Sequence, residues 1–124
     1  MGVFESSVAV AAAALPPLGA GMAHADGPAG EREFIATVRG KLPGSAIPNG
    51  LTALDPEVIQ YGYEACRAMD NHQDDPLAAT RQFYGRYGFP SQPNAGDNFN
   101  HNMFMIYSAE FLCSRNFHLW GDGE

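Results

Sequence analysis

The stretch Asp55-Pro56-Glu57-Val58-Ile59-Gln60-Tyr61-Gly62-Tyr63-Glu64-Ala65-Cys66-Arg67-Ala68-Met69 decides the fold class. Aspartate is a favoured N-cap, and proline fits the first helical position because it has no N–H to lose there. An acid in the first turn meets the positive end of the helix dipole. A helix is therefore predicted with Asp55 as its N-cap, running to about Met69. Val58, Tyr61, Gly62, Ala65, Cys66 and Met69 fall on one face, which turns Cys66 toward a core. Glycine in mid-helix costs about 1 kcal/mol relative to alanine, so close contact with a neighbouring helix is expected at Gly62.

Downstream, Asp75-Pro76 repeats the start signal and predicts a helix from Pro76 to about Tyr87, closed by Gly88. Its candidate core residues are Leu77, Phe83, Tyr84 and Tyr87. Pro90, Pro93 and Gly96 make the segment from Phe89 to Gly96 a loop. A last helix is predicted from Asp97 or Asn98 to Asn116, with Met103, Ile106, Tyr107, Glu110, Cys113 and Phe117 near one stripe. Upstream, Gly30 to Leu42 carries Phe34, Ile35, Val38 and Leu42 at helical spacing, and Pro43-Gly44 ends it. Ser45 to Ala53 follows as a loop. No segment alternates with period two, so no sheet is expected. The predicted fold is all-α, a small bundle of about four helices.

The N-terminus carries a different signal. Val8 to Leu15 is an apolar run, Pro16-Pro17 break it, and Ala23-His24-Ala25 offers the small-x-small pattern of a signal-peptidase site. Residues 1–25 are thus expected to be a signal peptide and 26–124 a single helical domain. The apolar run is shorter than the roughly 20 residues needed to span a hydrocarbon core, so no stable membrane span is expected. Met1 to Ser7 holds Glu5 and no basic residue, a departure that a translation start upstream of Met1 would explain. The expected location is extracellular or in the cell envelope.

In an exported chain an even cysteine count reads as disulfide bonding, and Cys66 and Cys113 allow one intramolecular pair. Two buried thiols or a metal pair are the competing readings. Neither cysteine has a second Cys or a His at zinc-finger spacing.

An early Phe34-Ile35-x-x-Val38 helix, then Gly62-Tyr63-Glu64-Ala65-Cys66-Arg67-Ala68-Met69 and Ser108-Ala109-Glu110-Phe111-Leu112-Cys113, resembles domain-of-unknown-function family 732. These are small exported proteins found mainly in mycobacteria. The resemblance covers Glu31 to Asn116, and its specific part is the Gly-x-x-x-Cys helix paired with the Ala-x-x-x-Cys helix. It implies a disulfide between Cys66 and Cys113, joining the second and fourth helices. The loop from Leu42 to Leu54 looks long for the family, and Ser114 stands where proline commonly follows the last cysteine. The family has no assigned activity, so the resemblance implies no catalytic residues.

Composition narrows the function classes. With 14 acidic and 7 basic residues the formal charge is −7, and the basic residues are scattered. Phosphate backbones are held by clustered cations, so nucleic acid is not expected as a partner. The densest polar segment is Asp70-Asn71-His72-Gln73-Asp74-Asp75. Imidazole and carboxylates at His72, Asp74 and Asp75 could hold a divalent cation, but a solvated turn with Asp75 capping the next helix accounts for them more simply. A phospholipase-type His-Asp dyad would sit on a helix beside a disulfide cysteine, whereas His72 follows the helix. His101 and His118 are expected at the surface. No catalytic residue, metal or cofactor is predicted.

The aromatic residues are more suggestive. Phe83, Tyr84, Tyr87 and Phe89 lie within one short stretch and are the candidate binding residues. Ordinary packing is the competing reading; an apolar patch for a partner is the sharper one. The expected function is a non-enzymatic binding module engaging an unknown protein partner. The alternative is a carrier of a small apolar or lipid-like ligand.

Overall fold

Pro28 opens α1 (Pro28–Lys41) in a computed structural model that describes residues 26–121. The expected signal peptide therefore lies outside the described residues. Helices α2 (Asp55–Asn71), α3 (Pro76–Arg86) and α4 (Ala95–Phe111) follow, with short 3-10 segments at Gly44–Ala46 and Ser114–Trp120. The fold is all-α, with no strand among the described residues.

Helix α2 starts one residue earlier than its sequence suggests. Leu54 is the N-cap, and its N–H donates to Glu57 Oε1 at 2.7 Å. Asp55 is the first helical residue rather than the cap. Its carboxylate instead accepts from Arg39 Nε and Nη2 at 3.1 and 2.8 Å, tying the end of α1 to the start of α2. Helix α3 begins as expected, with Asp75 accepting from the Ala78 N–H at 3.1 Å. Helix α4 begins earlier than expected because the Asn94 side chain caps it, accepting from the Asp97 N–H at 2.8 Å.

The sequence misplaces both the end and the face of α4. The helix stops at Phe111, and Cys113 leads into the 3-10 helix Ser114–Trp120. Helical and 3-10 spacings differ little over one turn, so periodicity alone does not show the break. Met103, Ile106, Tyr107 and Glu110 are only half-buried. The buried face is His101, Phe104, Met105, Ser108 and Ala109. Helix α4 packs against α1, α2, α3 and both 3-10 segments, so almost every side of it meets protein and polarity does not mark the inner one. Leu77, expected in the core, is exposed.

The core centres on Phe104. Its ring meets Phe34 edge-on at 5.7 Å and stacks on Phe83 at 5.6 Å. Such aromatic pairs add to the stabilisation from buried area. Gly62 lies under this cluster, where a Cβ would come within 2.5 Å of Leu112 Cδ1 and 2.7 Å of Phe34 Cζ. The expected close approach is therefore real, and it involves both α1 and the end of α4.

Cys66 and Cys113 are disulfide-bonded with Cα atoms 6.1 Å apart. The bond joins α2 to the residue that leads out of α4. Around it, buried Asn116 donates to Cys66 O at 3.4 Å and Asp70 Oδ1 at 3.0 Å, and accepts from Gln73 Nε2 at 2.8 Å. Arg115 grips Asp70 with contacts of 3.1 and 2.8 Å. That hydrogen-bonded guanidinium holds the Asp70 carboxyl below its ordinary range.

Candidate functional site

Two of the sequence's candidate clusters dissolve once the helices are packed. In the Asp70–Asp75 segment, Asp70 is committed to Arg115 and Asn116, and Asp75 to the α3 cap. His72 Nε2 lies 2.7 Å from Gln82 Oε1. Among the described residues no group of three His, Cys, Asp or Glu side chains is placed to hold a metal ion. The four aromatic candidates do not form an exposed patch. Phe83 and Tyr84 are core residues, each 2% exposed, because α3 turns that face inward. The Tyr84 hydroxyl donates to Ala46 O at 2.6 Å, and burial pushes its pKa well up. Tyr87 and Phe89 are half-buried.

Tyr87 meets Tyr61 edge-on at 5.2 Å and donates to Glu64 Oε1. Its pKa is raised, by burial first and then by that carboxylate. Tyr63, whose hydroxyl donates to Glu31 Oε2 at 2.7 Å, is pushed up to about 12 by burial and by the same kind of bond. These tyrosines fasten helices together rather than present a surface.

What the packing builds instead is a cleft of about 260 Å³ between α3, the 89–93 loop and the first turns of α4. His101 forms part of it. Expected at the surface, His101 is only 4% exposed. Its ring stacks on Tyr84 with centroids 3.7 Å apart and 11° between planes, and Phe89 meets it edge-on at 5.2 Å. Phe89, also 5.1 Å from Tyr84, lies beside this stacked pair. Among the described residues neither ring nitrogen has a hydrogen-bond partner, a rare condition for a buried imidazole. Burial lowers the pKa of His101, and the nearby Asp97 charge opposes this only in part. The ring is accordingly neutral at pH 7, with one nitrogen a donor and the other an acceptor.

The cleft walls are mixed. Leu77, Phe89, Pro90 and Pro93 supply apolar surface; Arg81, Asn98 and Asn102 supply polar groups. Thr80 Oγ1 donates to Pro76 O at 3.0 Å and sits 3.3 Å from Asn102 Oδ1, bracing α3 against α4. Of the expected binding residues, Tyr84 and Phe89 line this cleft, and the sequence reading did not bring His101 to it. Its position one and two helical turns from Phe104 and Ser108 was the available signal, once the buried face of α4 was known.

Comparison with protein-family models, curated proteins and solved structures finds no match to this chain.

Proposed function

We propose that this chain is an exported, non-enzymatic binding module that carries a small ligand in the cleft over His101. One observation supports this reading above others: a buried imidazole with unpartnered nitrogens at an open cleft. Leaving a buried polar group unsatisfied costs about 1–3 kcal/mol. A ligand that hydrogen-bonds the ring recovers that energy, whereas a phenylalanine at this position would avoid the cost altogether. The aromatic neighbours of His101 offer stacking and apolar contact, and the one hydroxyl among them, on Tyr84, is bonded to Ala46 O rather than to the imidazole, which fits binding better than proton transfer. The Gly62-to-Cys66 and Ala109-to-Cys113 pattern supports membership of family 732, and the disulfide fits an oxidising compartment outside the cell.

A second reading, a protein-binding module, has its own support. Leu51 and Leu54, on the segment joining α1 to α2, are 92% and 68% exposed. Leu51 also borders a shallow apolar groove with Ile47 and Phe89.

A native mass spectrum of the protein recovered from its host's culture fluid tests the proposal. The expected result is a chain beginning at Asp26, with added small-molecule mass that denaturation removes and that H101F no longer retains. A bare monomer would favour the second reading, and absence from the fluid would defeat export.

A further inference from the structure

The chemistry lining the cleft narrows what it can hold, granted that it is the ligand site. The chain is acidic overall, at −7, yet among the described residues no carboxylate lines the cleft. Its ionisable lining groups are Arg81, His101 and Tyr84, and the Tyr84 hydroxyl is already spent on Ala46 O. Asp97, the acid whose charge reaches His101, accepts from Asn94 Nδ2 at 3.2 Å and is not part of the lining.

Three arginines of the domain are matched with carboxylates. Arg39 and Arg115 each hold an aspartate at 2.8 Å, and Arg86 lies 4.0 Å from Glu64. Arg32, Arg67 and Arg81 have no carboxylate partner among the described residues, and of these three only Arg81 lines the cleft. An unpaired guanidinium offers a planar fork of donors that matches a carboxylate. Its side chain follows Leu77 and Thr80 along the α3 face that borders the cleft.

Size and shape supply the remaining constraint. A cleft of about 260 Å³ lies below the roughly 300–1,000 Å³ of sites for drug-sized ligands. A long acyl chain would not fit, but a single ring or short branched group would, against Phe89, Pro90 and Leu77. One fixed cation matches one negative charge; a phosphate dianion would leave a charge without a partner.

We propose that the cleft binds a small apolar monocarboxylate, its acid group on Arg81 and the His101 ring nitrogen, its apolar group against Phe89 and Leu77. The neutral imidazole N–H donates to a carboxylate oxygen, which gives His101 the partner that the protein itself does not provide.

The test compares phenylacetate with its neutral isostere phenylacetamide, by amide and imidazole chemical-shift titration of the oxidised chain at pH 7. Phenylacetate is expected to shift Phe89, His101 and Asn102 and to bind about tenfold or more tightly than the amide, as a charge-assisted pair should. R81Q, a change on an exposed side chain, is expected to bring that ratio close to one while leaving the helical spectrum unchanged. Equal binding of acid and amide to the wild-type chain would overturn the carboxylate assignment and leave the cleft as a ligand site. Acid preference persisting in R81Q would overturn the role of Arg81. No shift with either compound would overturn this proposal and weaken the site reading beneath it.

Discussion

Replacing Gly62 by alanine tests the packing on which the whole bundle depends. Two effects oppose each other. Alanine is the better helix former by about 1 kcal/mol in a helix interior. Against this, the new methyl would lie 2.5 Å from Leu112 Cδ1 and 2.7 and 2.8 Å from Phe34 Cζ and Cε2. Phe34 is 0% and Leu112 3% exposed, so neither can swing into solvent. Phe34 is also held edge-on by Phe104 at 5.7 Å, so moving it disturbs the centre of the core. Inserting a methyl into a filled core costs typically 1–3 kcal/mol, and the upper part of that range applies where two buried side chains must shift together. The expected net effect is a loss of about 1–2 kcal/mol. For a domain of this size each kcal/mol corresponds to about 4–8 °C in Tm.

Thermal unfolding of the oxidised protein, followed by far-UV circular dichroism, reads this directly. G40A is the internal control, because a Cβ there meets nothing within 4 Å. It should stabilise by up to about 1 kcal/mol, less the reduction expected near a helix end. If G62A were stabilised as much as G40A, the close approach of α1, α2 and Leu112 would be refuted.

The remaining predictions concern the disulfide and the buried histidine. Cys66 and Cys113 lie 47 positions apart, and removing the bond as C66A/C113A should cost about 4 kcal/mol on the chain-entropy account, read from urea midpoints; a loss under about 1 kcal/mol would mean that Asn116 and the Arg115–Asp70 pair hold the 3-10 helix without it. His101 titrates below its ordinary 6.5 when folded, so the unfolded chain binds the proton more readily. Its contribution is therefore complete above about pH 6.5 and is lost as pH falls through the depressed folded value. H101F should flatten the stability profile just below pH 6.5, while the Asp70 contribution, from a group lowered below 3.8, is lost only in stronger acid. An unchanged profile in H101F would show that the imidazole is protonated as easily in the folded protein as in the unfolded one.

Short-range chemistry made much of the bundle readable. Pro56 and Pro76 mark helix starts because their missing N–H costs nothing there, and Asp75 caps α3 as its side chain predicts. Gly62 announces a close approach because nothing local justifies a glycine in mid-helix. Asn94 could have been read as the α4 cap, but Pro93 and Gly96 around it have the character of a loop.

The sequence alone thus determined an all-helical chain, the approximate limits of its helices and the inward direction of Cys66. Each follows from interactions within a few residues, or from a helix with one buried stripe. Tertiary structure alone decided which face of α4 is inner, where that helix ends and that His101 lies beneath a cleft. Helix α4 has neighbours on nearly every side, so its buried face depends on contacts from α1, α2 and α3 together. Ser108 can be buried because its hydroxyl bonds Phe104 O at 2.8 Å, and His101 because Tyr84 and Phe89 cover its ring. Ser108 meets its need within its own helix, whereas only the packed chain brings the Tyr84 and Phe89 rings beside His101, and both residues look like surface in a sequence.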